Sequence, residues 1–186
     1  MPRNPNWKPA TIEERIDRVE SMAMIRQLPV RYALALDTRN MDDMVELFVD
    51  DVRVGRDEVG RDALRRYFCR ILAIPRTSIH LVANHVVDFD DADHARGVVY
   101  CRDQLERPNN RWDVGDLQYW DTYERRGGMW YFVRRKFHRW YMVDALTRPS
   151  PGAGVNDGTD PLPAGLLPDA WPSWKKFWDE DAIREG

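Results

Sequence analysis

The sequence predicts an α+β fold, with helices in the first part of the chain and a sheet of long antiparallel strands after them. Two features of the 186 residues indicate this order. Up to about residue 72 apolar side chains recur at helical spacing, whereas from Ser78 onward they alternate with polar ones, as in strands. The strand-like runs are separated only by DDAD, PNN and GG, which suit antiparallel neighbours. The helices are therefore expected on one face of a curved sheet.

The first helix is predicted to begin at Thr11. The Thr11 hydroxyl can accept the backbone N–H of Glu14, whose carboxylate reaches back, so TIEE is a capping box. Apolar residues then recur at helical spacing: Ile12, Ile16, Val19 and Ala23. Pro29 lacks a backbone donor and is expected to kink this helix or divide it in two. Asn40 can cap a second helix, MDDMVELF, and GRDALRRYFCRIL predicts a third after a short strand near VRVG.

Four alternating runs predict the strands: SIHLVANHVVDF, ARGVVYCRDQLER, VGDLQYWDTYERR and MWYFVRRKFHRWYMVD. The GG between the last two is typical of a hairpin. After Thr147 the composition changes to Pro, Gly and Asp, which is typical of a loop or linker. We therefore expect residues 1–146 to form one domain, and residues 147–186 to form a Pro/Gly-rich linker with a Trp-rich extension.

The extension places three tryptophans, Trp171, Trp174 and Trp178, on one helical stripe. Three exposed tryptophans favour aggregation, so we expect the stripe to dock on the domain or on a neighbouring subunit. Docking near the mouth of a pocket would make the extension a lid that excludes water. The alternative is a disordered tail with residual helix.

Composition excludes several classes of function. The formal net charge is -3, so bulk electrostatics do not point to nucleic acid or to an anionic membrane surface. The basic run RRKFHR alternates sides in a strand and is expected to form a solvated outer face. No stretch of about 18 apolar residues could span a membrane, and the amino-terminal sequence has no apolar signal core, so a cytoplasmic protein is expected. Cys69 and Cys101 are expected to be reduced thiols.

Metal and cofactor motifs do not appear. His80 and His85 differ by an odd number of positions on a strand, so they are expected on opposite faces of the sheet, unable to share a metal. DFDDADH resembles the start of a calcium loop but lacks the Gly at position six and the Glu at position twelve. Gly-rich phosphate loops and a G-x-S-x-G elbow are absent. The sequence therefore predicts neither a metal site nor a cofactor.

Two residues are candidates for chemistry. Asp37 follows the apolar YALAL at the carboxyl end of the first helix, where the helix dipole disfavours negative charge. A buried carboxylate there must be protonated or paired, although a solvated Asp at a helix end is the simpler reading. His80 shares its strand face with Ser78 and Asn84, which suits a pocket wall, whereas His85 is expected in the core or in a supporting position behind the site. A satisfied structural histidine remains the alternative for His80.

Three segments carry a resemblance to a known family: RYALALDTRNMDDMVELFVDDVRV, TSIHLVANHVVDF and YWDTYERRGGMWYFVRRKFHRW. From about Ile12 to Asp144 the chain resembles the SnoaL-like branch of the nuclear transport factor 2-like superfamily, and within it the group containing hexachlorocyclohexane dehydrochlorinase, scytalone dehydratase and bile acid dehydratases. The resemblance implies a cone-shaped α+β fold, in which a curved antiparallel sheet and N-terminal helices enclose a hydrophobic pocket. It also implies a homodimer or homotrimer.

The resemblance further implies an active site. The elimination enzymes of the family use an Asp–His dyad, which matches Asp37 and His80, and an arginine five residues after the Trp of the last strand, which matches Arg135. Tyr32 takes the place of a polar residue five before the aspartate, as in bile acid dehydratases. The dehydrochlorinase carries a different residue there, which favours oxygenated substrates over halogenated ones.

The chemistry of these residue types supports the dyad. A neutral His80 can abstract a proton near pH 7, and Asp37 would hold the imidazole in one tautomer. Arg135 could stabilise negative charge on a leaving oxygen, and Tyr32 could orient or protonate that oxygen. The residues expected to bind the substrate are Leu117, Tyr119 and Phe137.

The expected function is that of a cofactor-independent lyase acting on a hydrophobic, aromatic, hydroxylated small molecule. The leaving group could be water, or formaldehyde from a lignin-type diarylpropane diol, for which family members offer precedent. A non-catalytic ligand carrier or accessory subunit of the same fold is one alternative, and a ketosteroid-type isomerase is another. A carrier would have Asp37 and His80 apart, or its pocket filled by Trp and Tyr. No nucleic-acid or membrane partner is expected.

Overall fold

The computed structural model describes residues 8–108, 111–156, 158 and 165–179, with the backbone alone for 176–179. Its helices are α1 (Ile12–Asp37), α2 (Met41–Glu46), α3 (Arg61–Leu72) and α4 (Pro172–Asp179). Its strands are β1 (Arg53–Val54), β2 (Glu58–Val59), β3 (Thr77–Phe89), β4 (His94–Glu106), β5 (Trp112–Arg126), β6 (Met129–Asp144) and β7 (Gly165–Leu166). The predicted α+β class and the order of elements are confirmed.

The main sheet has the order β3-β4-β5-β6-β7, and β3 to β6 form an antiparallel meander. Strand β7 is parallel to β6, whereas β1 and β2 form a separate two-stranded sheet. Helix α1 packs against β3 and β6, and we call the sheet face that it covers the inner face. The core fills the space between the first three helices and this face, with fully buried side chains that include Ile25, Met44, Phe89, Tyr123 and Phe132.

Helix α1 begins as predicted, with both hydrogen bonds of the Thr11–Glu14 capping box. Pro29 does not divide the helix, which continues to Asp37. Proline removes one backbone hydrogen bond, but Pro29 lies on the buried side of α1 with Leu28 and Tyr32. Burial of that side against the sheet holds the two halves together, so of the two expected outcomes the division of the helix was wrong.

Among the described residues, the pairing of the main sheet has three register shifts, one between β3 and β4 and two between β5 and β6, and two of them decide on which face His85 and Arg135 lie. In β3, Val82 pairs with Cys101 and His85 pairs with Val99, so Ala83 and Asn84 together face one residue of β4. The extra residue reverses the alternation, because side chains change face every residue. His80 and His85 therefore lie on the same inner face, and the prediction of opposite faces was wrong.

A second bulge lies at Val133 of β6, because Thr122 pairs with Arg134 whereas Tyr123 pairs with Phe132. Phe132 is fully buried on the inner face, whereas Val133 is only partly buried. Arg135 shares the inner face with Phe132 rather than with Val133, although simple alternation along β6 would place residues 133 and 135 on the same face.

The end of the described chain packs on the outer face of the sheet. Trp171 lies against Trp120 of β5, with ring centroids 4.5 Å apart, and Trp120 lies 4.0 Å from His138 of β6. Trp174 is 40% exposed, and the side chain of Trp178 lies outside the described residues. Trp171 therefore docks on the domain, on the face opposite to α1, which does not fit a lid over an inner pocket.

No helix in the described part of the chain is both long and apolar enough to cross a bilayer. Within the same residues, His, Cys, Asp and Glu side chains form no group of three that could hold a metal ion.

Candidate active site

Asp37 and His80 meet where the end of α1 reaches the first strand of the sheet. The Asp37 Oδ1 atom lies 2.6 Å from the Nδ1 atom of His80, and the backbone N–H of His80 donates to Asp37 Oδ2 at 2.9 Å. Strand β3 lies at one edge of the sheet, so backbone donors on its free side need partners from elsewhere. Asp37 supplies one and thereby fixes the ring of His80 above the inner face.

The hydrogen bonds around Asp37 determine the charge of its carboxyl group and which nitrogen of His80 carries a proton. Burial alone would raise the pKa of the Asp37 carboxyl, but hydrogen bonds from the imidazole and backbone of His80 and from Ser78 outweigh it and lower that pKa. An ionised carboxylate only accepts hydrogen bonds, so Nδ1 of His80 carries the proton. The Nε2 atom has no hydrogen-bond partner among the described residues. A neutral imidazole in this tautomer presents a basic nitrogen at Nε2. The side chain of His80 is only 8% exposed.

Two further residues join the dyad. The hydroxyl of Ser78 lies 3.0 Å from Asp37 Oδ1, and the guanidinium of Arg39 donates to that hydroxyl at 2.7 Å. Sequence reasoning missed both. Ser78 could have been found, because it precedes His80 by two positions on the same strand face. Arg39 could not, because its position depends on how the chain turns after α1.

Arg135 is buried on the inner face and is paired, as the cost of an isolated buried charge requires. Its Nε and Nη2 atoms donate to the two carboxylate oxygens of Asp121 at 2.9 and 2.7 Å. Burial would lower the pKa of Arg135, but the charge and hydrogen bonds of Asp121 outweigh it and raise that pKa. The Nη1 atom is buried and has no hydrogen-bond partner among the described residues. Arg135 makes no direct contact with Asp37.

Aromatic rings surround Arg135. Its guanidinium carbon lies 4.4 Å from the ring centre of Tyr32 and 4.1 Å from that of Tyr119. Burial raises the pKa of both phenols, so each is a neutral hydrogen-bond donor. Phe137 lies beside Tyr119, with ring centroids 5.8 Å apart, and Leu117 is buried two positions before Tyr119 on β5. The inner face thus brings Tyr32, Arg135 and the three expected substrate-binding residues to one apolar region.

His85 belongs to a separate polar network that reaches Arg135. Its Nε2 atom lies 3.0 Å from the hydroxyl of Tyr123, which donates to Asp121 at 2.9 Å. Because the Tyr123 proton goes to Asp121, His85 must donate through Nε2. The contact crosses β4 at Gly97, where a Cβ atom would lie 3.0 Å from both His85 and Tyr123. His85 is therefore neither plain core nor part of the dyad, but a support for the partner of Arg135.

Two cavities are described, and the dyad lines neither. One, of about 610 Å³, lies on the outer face and is bordered by Leu81, Tyr100, Trp140, Tyr141 and Pro149. The other, of about 480 Å³, runs along α1 between Pro9 and Arg26. Around Arg135 the inner region is occupied by rings, as described above.

The structure thus combines an α+β fold with a partly buried Asp–His pair on the inner face of an antiparallel sheet. The SnoaL-like domain family matches residues 17–136, which is more than half of the chain. The protein belongs to this family, within the nuclear transport factor 2-like superfamily, as the sequence predicts.

Solved structures with the same fold include two from the genus Novosphingobium. A proposed scytalone dehydratase from Novosphingobium aromaticivorans is similar at 23% identity and a TM-score of 0.62, with 73% of this chain and 95% of that chain covered. Hexachlorocyclohexane dehydrochlorinase LinA-type3 from Novosphingobium barchaimii is similar at 22% identity and a TM-score of 0.65, with coverages of 74% and 99%. At this level of identity the likeness establishes the fold. A sequence comparison with curated proteins found no match.

Proposed function

We propose that the protein is a cofactor-independent lyase acting on a hydrophobic, aromatic, hydroxylated small molecule. The observation that carries the proposal is the 2.6 Å contact between Asp37 and His80, which leaves Nε2 of His80 basic. A partly buried carboxylate paired to an imidazole in this way is an arrangement for proton abstraction near neutral pH. The dehydratase and dehydrochlorinase among the structural neighbours, both named for eliminations, support the same class of reaction.

In the proposed reaction His80 takes a proton from the substrate and Asp37 stabilises the resulting imidazolium. Negative charge that develops on an oxygen of the substrate would be met by the free Nη1–H of Arg135 and by the neutral phenol of Tyr32. Donors of this kind are strongest in an apolar, water-poor region, which the buried rings around Arg135 provide. Leu117, Tyr119 and Phe137 would hold the apolar part of the substrate.

The leaving group decides between two reactions. In a dehydration, His80 removes a C–H proton, the electron pair forms a double bond, and the hydroxyl on the neighbouring carbon leaves as water. In a deformylation of a diarylpropane 1,3-diol, His80 removes the proton of the hydroxymethyl O–H. The carbon–carbon bond then breaks to release formaldehyde, and its electrons form the new double bond while the other hydroxyl leaves as water. The second reaction produces a stilbene, and we propose it as the more specific activity, in the breakdown of aromatic compounds.

The test is incubation of the purified protein with a panel of diarylpropane diols and hydroxysteroids, followed by mass spectrometry for loss of water or formaldehyde. Stilbene formation from a diol would support deformylation, and loss of water alone would support dehydration. If no compound in the panel reacts faster than with the His80→Ala variant, the lyase proposal is wrong.

A non-catalytic carrier of hydrophobic ligands is the second candidate, because the larger cavity lies on the outer face and is lined by Tyr100, Trp140 and Tyr141 rather than by the dyad. The rings of Tyr32 and Tyr119 also fill the inner region, as expected for a carrier. The close contact of Asp37 with His80 argues against it. Binding of an aromatic ligand that is unaffected by His80→Ala, without turnover, would favour the carrier.

An isomerase of the ketosteroid type is less well supported, because it needs a carboxylate that is free to act as the base. Asp37 instead accepts three hydrogen bonds.

We also propose that the protein forms a homodimer or homotrimer, since apolar side chains of α1 and of the outer face of β3 are more than half exposed: Ile12, Ile16, Val19, Leu81 and Val86. Light scattering of the purified protein measures this directly.

A further inference from the structure

The dyad is tied to two polar side chains that the proposed reaction does not itself require. Arg39 follows α1 by two residues, and Ser78 is the second residue of β3. Ser78 is 3% exposed, so its hydroxyl cannot rely on water for its hydrogen bonds. The two residues form an unbroken line of contacts from Arg39 through Ser78 to Asp37.

The direction of each hydrogen bond in this line is determined by the groups involved. A guanidinium can only donate, so the Ser78 hydroxyl accepts from Arg39 Nη1 at 2.7 Å. The single proton of that hydroxyl is then left for Asp37 Oδ1, which lies 3.0 Å away. Asp37 Oδ1 thus receives one donor from Ser78 and one from His80, while Oδ2 receives the backbone N–H of His80.

Arg39 also joins the two segments that carry the dyad. Its guanidinium donates to the backbone oxygen of Leu36 at 2.6 Å and to that of Pro75 at 3.0 Å. Leu36 immediately precedes Asp37 at the end of α1, whereas Pro75 lies just before β3. The rigid, planar guanidinium therefore donates to three acceptors, the Ser78 hydroxyl and the two backbone oxygens, which come from both segments. The ammonium group of a lysine could not reach all three acceptors at once.

The backbone of Arg39 adopts an unusual conformation that places its side chain at the end of α1. Its φ is 59°, in the left-handed region that Gly or Asn usually occupies after a helix. An arginine in that conformation places its side chain back over the helix end, where the carbonyl dipoles and the Asp37 carboxylate both attract a cation. The same placement offsets the unfavourable position of a carboxylate at the carboxyl end of α1.

We propose that Arg39 and Ser78 are positioning residues that hold Asp37 ionised and in one orientation, so that His80 keeps a single tautomer with Nε2 bare. The working unit is then Arg39–Ser78–Asp37–His80, with only His80 contacting the reacting atoms. The catalytic side of this inference rests on the proposed lyase function, whereas the control of the tautomer does not.

The test compares Ser78→Ala and Arg39→Gln with the wild-type full-length protein. Each variant should lower kcat by roughly tenfold to hundredfold, the loss expected when a catalytic group is misplaced, with little change in KM. In ¹⁵N NMR spectra the wild-type His80 should show the Nδ1–H tautomer alone, and both variants should show a mixture. Arg39→Lys keeps the charge and one donor, and should recover part of the lost kcat.

Matched controls are Thr77→Ala and Arg56→Gln. Thr77 is the neighbouring hydroxyl on β3, but it donates to Glu106 at an exposed site, and Arg56 is exposed in the turn between β1 and β2. Both controls should retain wild-type kcat and the single tautomer.

A single Nδ1–H tautomer in both Ser78→Ala and Arg39→Gln would overturn the proposal, even if their melting temperatures fall. If Ser78→Ala does not fold, Arg39→Gln and Arg39→Lys decide the matter alone. If the wild-type protein converts no compound of the panel, the proposed function fails, while the tautomer spectra still decide whether Arg39 and Ser78 position His80.

Discussion

At the scale of single residues, the proposed reaction depends on two Asp-centred pairs on the inner face of the sheet. Asp37 orients His80, and Asp121 holds Arg135. The two pairs have different roles. In the proposed reaction the first leaves a basic nitrogen of His80 available to the substrate, whereas the second supplies a counter-charge to the buried Arg135. Each can therefore be tested by a substitution that has a surface counterpart elsewhere in the chain.

His80→Ala and Asp37→Asn should each lower kcat by about 10³–10⁴-fold, because the first removes the base and the second removes the group that sets its tautomer. The melting temperature should change little. Steady-state kinetics on the reactive diol, together with thermal unfolding, measure both. His94→Ala is the control, since His94 forms a similar pair with Asp91 on the surface, at 2.9 Å. Retention of most activity by either dyad variant would refute the assignment.

Arg135→Lys should lose most of the activity although the charge remains, because the ammonium cannot contact both oxygens of Asp121 and still present a donor to the substrate. We expect a decrease in kcat/KM of roughly 10²-fold, the usual cost of one oxyanion donor. Arg96→Lys breaks a comparable two-oxygen contact with Asp90 at a more exposed site and should have almost no effect. Wild-type rates in Arg135→Lys would show that the pair with Asp121 is merely structural.

At the scale of elements, the bulges in β3 and β6 decide which side chains share the inner face. The bulge in β3 turns His85 inward, where it supports Tyr123 and Asp121. Burial, with the positive charges of Arg135 and Arg26, lowers the pKa of His85 to about 4. His85 is therefore neutral in the folded protein under conditions where the unfolded chain would protonate it.

The free energy of unfolding should consequently fall as the pH is lowered from about 6.5 to about 4, because the unfolded state binds the His85 proton first. Above about pH 6.5 the contribution of His85 to the free energy of unfolding is fully present, and below about pH 4 that contribution is completely lost. His85→Gln should show a shallower decline over the same range. Urea unfolding at a series of pH values measures the slopes, and parallel curves for the two proteins would contradict this account.

At the scale of the whole molecule, the carboxyl-terminal extension adds β7 to the sheet and places Trp171 on Trp120. Both contacts lie away from α1 and the dyad. The extension thus covers outer-face side chains, including His138, whose imidazole packs against Trp120. An extension in this place should contribute to stability or assembly rather than to catalysis.

Trp171→Ser should therefore destabilise the protein by about 1 kcal/mol, the value of an aromatic pair, and leave KM unchanged. Trp174→Ser, at an exposed position, should have a smaller effect. Truncation after Arg148 should lower the melting temperature further, because it also removes the pairing of Gly165 with His138. Chromatographic sizing shows whether the oligomer is lost with it. A raised KM with the oligomer intact would instead identify the extension as a lid.

The sequence by itself determined the α+β class and the order of the elements, whereas the pairing of Asp37 with His80 was an implication of the resemblance to the family. Periodicity and capping are local properties, and the segments that resemble the family carry the dyad at fixed places within them. The fold class and the order of the elements could be predicted because they depend on residues close together in the chain, whereas Asp37 and His80 are 43 positions apart and their pairing required the resemblance.

Only the tertiary structure decided which residues support the dyad and which partner Arg135 takes. A β-bulge reverses the face of every later residue, and its position depends on the pairing with the neighbouring strand rather than on the residues of one strand. The turn that brings Arg39 over Ser78, and the close approach at Gly97 that joins His85 to Tyr123, likewise arise between segments distant in sequence. Contacts of this kind are set by packing of the whole sheet against α1, which alternation within a single strand does not encode.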